Sequence, residues 1–252
     1  MCYDTDAAPP VFGTPATSVV EARESLTTAG GTRITSFLAV PDDRTGAAVL
    51  VLPDNGGLSG FYEQLATRFA EQGHLALAVD YVDRANPAPA GDEIPFAVRF
   101  LRFCDRVLDD VLPAALARLR AAGEPAPLVA LGCCLGGRLA FLAGTRPFGL
   151  AGAVGLYGGP QAFGDAPGPT QLAGEMTAPV LGLFGGADES ISADDVRAFE
   201  EALSAAGVAH EIVTYPGAPH GFFDKHMAGH TAASADAWRR VLAFLAANAA
   251  GS

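Results

Sequence analysis

Cys134 stands at the centre of Gly132-Cys133-Cys134-Leu135-Gly136-Gly137, directly between an apolar run and a segment of helical spacing. The pattern is Gly-x-nucleophile-x-Gly. A strand that turns at once into a helix forces its central residue into strained φ/ψ, and small neighbours let the backbone pass close by. The helix N-terminus then favours a thiolate and offers the Leu135 N–H to a developing oxyanion. Taken alone the pentapeptide is a weak signal, because cysteine is often only a small buried hydrophobe.

A cysteine nucleophile needs a base, and the base needs an orienting acid. Of the five histidines, His74 precedes a strand-like run and His210 opens one, while His226 and His230 lie in a polar approach to the last helix. His220 is different. It sits in Tyr215-Pro216-Gly217-Ala218-Pro219-His220-Gly221-Phe222, a loop after the last strand-like run, fixed by two prolines and anchored by the Phe222-Phe223 pair. The acid is sought after the preceding strand, where Val180–Phe184 runs into Gly185-Gly186-Ala187-Asp188-Glu189. Asp188 is the natural choice to orient an imidazole and stabilise its charged form. Glu189 is the nearest rival, and Asp194 and Asp195 suit caps at the start of the next helix. The conjunction outweighs its parts. Cys134, Asp188 and His220 follow one another as nucleophile, acid and histidine, each after a separate strand, in the chain order of an α/β-hydrolase.

The elements that must position them alternate. Val19–Leu26 and Arg33–Val40 read as strands paired across Ala29-Gly30-Gly31. Ala47–Leu52, Leu75–Val79, Leu128–Leu131, Leu150–Tyr157, Val180–Phe184 and Glu211–Thr214 read as further strands, mostly of the continuous apolar kind. Helical stripes cover Phe61–Gln72, Leu135–Thr145, Ala193–Ala205 and a last segment with Trp238, Val241, Leu242 and Leu245. A long stripe from Phe96 to Arg120 is expected to be interrupted near Pro113. The expected architecture is α/β: a mainly parallel central sheet of about eight strands with helices on both faces, the α/β-hydrolase fold. Residues 1–17 read as an extended arm and 18–252 as one domain, with Gly158–Gly174 a surface excursion. Such sheets place chemistry in the loops at the carboxyl ends of their strands.

Composition narrows the function. Half of the 252 residues are hydrophobic and 17% are charged, which excludes a largely disordered chain. Sixteen basic against 28 acidic residues leave a net charge of −12, which argues against a broad nucleic-acid or anionic-membrane footprint. Four cysteines, two of them adjacent and none in paired zinc spacing, fit a reduced compartment rather than a disulfide scaffold. The N-terminus carries acids where a signal peptide needs positive charge, and no apolar stretch is long enough to span a membrane. A cytoplasmic location, a small-molecule partner, and a monomer or homodimer are expected, with no metal or organic cofactor.

With these residues in view, the chain resembles the dienelactone hydrolase family from about Val19 to Leu245. The resemblance rests on Leu52-Pro53-Asp54-Asn55-Gly56-Gly57-Leu58, Ala78-Val79-Asp80-Tyr81, Gly132-Cys133-Cys134-Leu135-Gly136-Gly137, Gly185-Gly186-Ala187-Asp188 and Pro219-His220-Gly221-Phe222-Phe223. It implies a Cys134–His220–Asp188 triad and a second oxyanion donor at the Asn55 N–H, after the third strand. A glutamate of that loop contacts the resting thiol in the family; Asp54 stands at the matching place, one methylene shorter. The resemblance also implies that Arg84 holds a substrate carboxylate. Where a second arginine would sit this chain has Asp224, with Lys225 adjacent and able to take over. Core packing is the ordinary fate of Phe61, Tyr62, Tyr81, Phe163, Phe222 and Phe223, but Tyr81 and Phe222 are expected among the substrate contacts.

The chemistry expected is hydrolysis of an ester or lactone through a Cys134 acyl-enzyme. A broad carboxylesterase or thioesterase would carry the same triad. A biosynthetic acyltransferase or lyase would keep the nucleophile and exclude water, and a non-catalytic relative would only bind a small molecule or a partner.

Overall fold

The computed structural model describes residues 6–10, 12–82, 96–123 and 126–249. Eight strands form one sheet: β1 Val19–Thr27, β2 Arg33–Pro41, β3 Ala48–Leu52, β4 Leu75–Val79, β5 Leu128–Cys133, β6 Leu150–Leu156, β7 Val180–Gly185 and β8 His210–Tyr215. Their order across the sheet is β1-β2-β4-β3-β5-β6-β7-β8. The first two strands are antiparallel to each other, β2 is antiparallel to β4, and every later pairing is parallel. This is the α/β-hydrolase architecture expected from the sequence.

Why these runs form strands buried on both faces is visible in β3 and β4, where all five residues of each are apolar and buried. Alternate residues of one strand point to opposite faces. Val49, Val51, Ala76 and Ala78 pack into one core layer, and Leu50, Leu52, Leu75 and Leu77 into the other. The first layer is completed by α1 (Gly60–Glu71), α5 (Ala193–Ala205) and α6 (Thr231–Ala249), through Leu65, Phe69, Phe199, Leu203, Trp238 and Leu245. The second is completed by α2 (Phe96–Arg106) and α3 (Leu112–Ala122), with much of α4 (Leu135–Ala143). Among the described residues no helix is long and apolar enough to cross a membrane.

The interruption expected near Pro113 lies just before it. Val107–Val111 is a π-helical turn joining α2 to α3, and Pro113 falls in the first turn of α3. Proline has no N–H to give to the preceding turn and its ring crowds the carbonyl four residues back, so the wider turn accommodates it without ending the helix. A second difference concerns α5. Its N-cap is Ser192, whose side chain accepts from the Asp195 N–H at 3.1 Å while Asp195 Oδ2 accepts from the Ser192 N–H at 3.1 Å. Asp195 therefore closes a capping box from inside the helix rather than capping it.

The N-terminal segment is tied to the far end of the chain. Ala7 and Ala8 are buried. The Lys225 N–H donates to Ala8 O at 2.9 Å, the Ala8 N–H donates to Asp224 Oδ1 at 3.3 Å, and His226 Nε2 meets Asp6 O at 3.0 Å.

Candidate active site

Strand order brings the candidate residues together. β5, β6, β7 and β8 are consecutive neighbours, so Cys134, Tyr157, Asp188 and His220 all follow the carboxyl ends of adjacent strands. On the other side of β5 lies β3, whose carboxyl end carries the Pro53–Gly57 loop. From β3 the chain crosses to β4 on one side and from β5 it crosses to β6 on the other, so the carboxyl ends of β3 and β5 flank the switch point of the sheet.

Cys134 has φ 55° and ψ −117° between the last residue of β5 and the first of α4, a backbone strain expected of a nucleophile elbow. Its N–H donates to Leu156 O at 2.9 Å and its C=O accepts from the Arg138 N–H at 3.0 Å. Leu135 opens α4, so its N–H is one of those with no partner inside the helix. The glycines are there for contact. A Cβ on Gly136 would fall 2.0 Å from Leu52 O and 2.3 Å from Pro53 O, and one on Gly132 would fall 2.1 Å from the Gly136 carbonyl carbon. Gly136→Ala must therefore push α4 away from β3. It is expected to cost about 3 kcal/mol, read as a lowered urea midpoint, with loss of activity alongside.

His220 Nδ1 and Asp188 Oδ2 are 2.6 Å apart, with the Asp188 side chain 1% exposed and the His220 side chain 23% exposed. The other Asp188 oxygen accepts from the Ser190 N–H at 2.8 Å and the Ile191 N–H at 3.2 Å. Two glycines let the acid loop close on the histidine loop. A Gly185 Cβ would lie 2.4 Å from Ala218 O, and the Gly186 and Ala187 N–H groups donate to Tyr215 O and Ala218 O at 2.8 and 2.9 Å. Burial pulls the His220 pKa down, but hydrogen bonds to Asp188 and Cys134, and the charges of both, outweigh it and lift it to about 9. Burial would likewise raise the Asp188 carboxyl; the His220, Ser190 and Ile191 hydrogen bonds hold it below its ordinary range. His220 thus contacts the Asp188 carboxylate through Nδ1 and feels the Cys134 side chain on its other side.

The remaining sequence-predicted residues fall in different places. Asp54 is buried, with Oδ1 accepting from the Gly56 N–H at 2.7 Å. Asn55 is exposed in the turn that the Gly57 N–H closes on Asp54 O at 3.1 Å. Tyr81 and Phe222 are not brought to an open surface. Tyr81 is buried with its hydroxyl donated to Pro53 O, and Phe222 packs edge-on to Tyr157 at 5.5 Å and against Tyr215 at 5.1 Å. Both bury their rings in packing behind the loops that carry chemistry, which apolar area favours. The Lys225 side chain is exposed beside the clasp on Ala8. Arg84 lies outside the described residues.

Two residues were not singled out from the sequence. Tyr157 has φ 41°, is fully buried, and sets its ring 5.0 Å from that of His220. Arg138 is a buried cation of α4. It donates to Gly159 O at 2.9 Å, to Gln161 O and to Pro167 O at 3.3 Å, and its guanidinium stands 4.9 Å from the Phe163 ring centre. It fixes the excursion after Tyr157. Its sequence signal was a lone charge in the otherwise apolar Leu135-Gly136-Gly137-Arg138-Leu139-Ala140.

Comparison with known proteins finds relatives across most of the chain. Residues 34–249 match the sequence profile described as the Dienelactone hydrolase family. A protein of Yersinia pestis named "Putative carboxymethylenebutenolidase" is 34% identical over 221 residues, 84% of this chain and 83% of that one. The "Carboxymethylenebutenolidase" of Rhodococcus opacus is 28% identical over 254 residues, covering 97% and 96% of the two chains. The crystal structure of a "Putative Dienelactone Hydrolase" from Klebsiella pneumoniae superposes with a TM-score of 0.76 at 27% identity, over 91% of this chain and 99% of that one.

Proposed function

The chain belongs to the dienelactone hydrolase family and is a hydrolase acting on esters or lactones, and we propose that it does so through an acyl-enzyme on Cys134. The observation that carries this reading is the line Asp188–His220–Cys134, with a 2.6 Å carboxylate–imidazole contact ending on a cysteine at φ 55°. The imidazolium and the thiolate stabilise each other across that line.

The thiolate attacks the acyl carbon, and the carbonyl electron pair moves to oxygen, where the Leu135 and Asn55 N–H groups receive it. The tetrahedral adduct collapses as the C–O bond to the leaving group breaks, and His220 gives its proton to the departing oxygen. A thioester on Cys134 and neutral His220 remain. Water then loses a proton to His220 as it attacks the thioester, and collapse of the second adduct expels the thiolate and releases the acid. Asp188 keeps the ring in one orientation throughout and stabilises its charged form. Asp54, buried in the loop beside Asn55, is assigned the thiol-activating role at Cys134.

Arg84 and Lys225 are assigned to a substrate carboxylate, with Tyr81 and Phe222 forming the packed wall behind the site. Asp224 Oδ1 accepts from the Ala8 and His226 N–H groups, which ties its carboxylate to the N-terminal segment. A panel tests the substrate class: dienelactone, aryl esters of increasing acyl length and an acyl thioester, each with wild type and Cys134→Ala. The expected result is Cys134-dependent turnover led by the carboxylate-bearing lactone. Leadership by short aryl esters would replace that substrate class with general esterase activity.

A further inference from the structure

We infer that Tyr62 and Tyr81 are positioning residues that clamp one peptide unit of the oxyanion loop and so aim the Asn55 N–H at the carbonyl under attack. The inference rests on the hydrolase reading above.

The peptide between Pro53 and Asp54 is held at both ends. Its N–H, on Asp54, donates to the Tyr62 hydroxyl at 2.8 Å, and its C=O, on Pro53, accepts from the Tyr81 hydroxyl. Tyr81 Oη also lies 3.5 Å from Asp54 O, which accepts from the Gly57 N–H at 3.1 Å as well. A trans peptide is planar, with C=O and N–H pointing in opposite directions. Fixing Asp54 O therefore fixes the direction of the Asn55 N–H in the next unit.

Packing does not explain the two hydroxyls. Tyr62, in the first turn of α1, and Tyr81, just after β4, are each 1% exposed. Phenylalanine would fill the same volume without burying a polar group, and a buried hydroxyl is tolerated only when it is bonded. Both hydroxyls are spent on the same peptide, from two different elements. Tyr81 is itself anchored: Arg106 Nη2 donates to its carbonyl at 3.2 Å, and the Phe103 ring lies 6.0 Å from its own. Burial first, then the charges of Cys134 and Asp54, hold the Tyr81 hydroxyl protonated well above its ordinary range, so it remains a donor beside the thiolate. Through Gly136, Pro53 O also lies against the start of α4. The clamp thus sets the Asn55 donor relative to the Leu135 donor, and oxyanion stabilisation depends on that separation.

The test compares two reactions of Cys134. Acylation by an aryl ester forms a C–S bond and pushes an electron pair onto the carbonyl oxygen. Alkylation by iodoacetamide forms a C–S bond as iodide leaves and creates no oxyanion. In Tyr62→Phe and Tyr81→Phe, kcat and the single-turnover acylation rate are expected to fall about 10- to 100-fold. KM should stay within about threefold of wild type, and the alkylation rate within about twofold, because neither needs the oxyanion donors. If Tyr81→Phe does not fold, Tyr62→Phe carries the test. Wild-type kcat in the variants would overturn the inference, and so would alkylation slowed in parallel with acylation, since that marks general damage to the elbow. Absence of Cys134-dependent turnover in wild type is a distinct result, and it would overturn the hydrolase reading itself.

Discussion

Cys134→Ala is expected to lower kcat on the order of 10⁴-fold or more, with the fold intact. The variant keeps the Leu135 and Asn55 donors and the His220–Asp188 pair, so it can still bind a carbonyl. What it lacks is the atom that forms the acyl bond. Water would have to attack directly, from a site built to hold a sulfur. Alanine meets the same backbone constraint at φ 55° as the cysteine it replaces, and the half-buried side chain is small, so circular dichroism and the urea midpoint should match wild type closely. Steady-state kinetics on an aryl ester check the expectation. Activity within tenfold of wild type would remove Cys134 from the mechanism.

Asp188→Asn has the next largest effect, a loss of about 10³- to 10⁴-fold in kcat. Asparagine is nearly isosteric but carries no charge, so it neither stabilises the imidazolium nor selects the tautomer with the proton on Nδ1. The pH behaviour gives a second readout. In the resting protein His220 stays protonated up to about pH 9, because its bonds to Asp188 and Cys134 outweigh its burial. The imidazolium therefore persists across neutral pH and favours the thiolate beside it, so alkylation of Cys134 should be nearly flat between about pH 6.5 and about 8. The sign for stability follows. A histidine raised on folding contributes stability that is fully present below its ordinary pKa of 6.5 and is lost as pH rises through about 9. Asp188→Asn removes one of the groups that raise it, so the variant should lose the flat region from its alkaline side, and its stability deficit should shrink above pH 9. A parallel alkylation profile in the variant would count against this coupling.

The three candidate residues could be picked out in the sequence because each stands in a loop that follows a strand-like run. Gly132-Cys133-Cys134-Leu135-Gly136 marks a strand turning into a helix, and Gly185-Gly186 and the two prolines before His220 mark loops of fixed shape. The sheet followed from the same runs, down to the hairpin of β1 and β2. Side-chain destinations were less legible. Tyr81 is expected among the aromatic substrate contacts, yet its hydroxyl belongs to Pro53 O, a partner 28 residues away that the pairing of β3 with β4 brings near. Phe222 is two residues from His220, but the chain turns it inward onto Tyr157. Tyr157 offered no signal beyond ending a strand, since its positive φ is imposed by the tertiary structure. The π turn before Pro113 leaves the apolar spacing of the stripe almost unchanged, which is why only the proline announced an interruption. Asp224 likewise has no local motif for its bond to the Ala8 N–H across the whole length of the chain.

The most direct test of the acyl-enzyme is to see it. In the acylated protein Cys134 is no longer an anion, so it ceases to hold the His220 proton, and the base needed for deacylation forms only as pH rises. Near pH 5 the imidazole should stay protonated and the thioester should accumulate. Mixing wild type with an activated aryl ester at that pH, quenching in acid within milliseconds to seconds, and weighing the intact protein is expected to give a mass gain of one acyl group. Peptide mapping should place it on Cys134, the gain should be absent from Cys134→Ala, and it should decay when the pH is raised to 8. Turnover that proceeds with no covalent adduct at any quench time, or an adduct that survives in Cys134→Ala, would contradict covalent catalysis at Cys134.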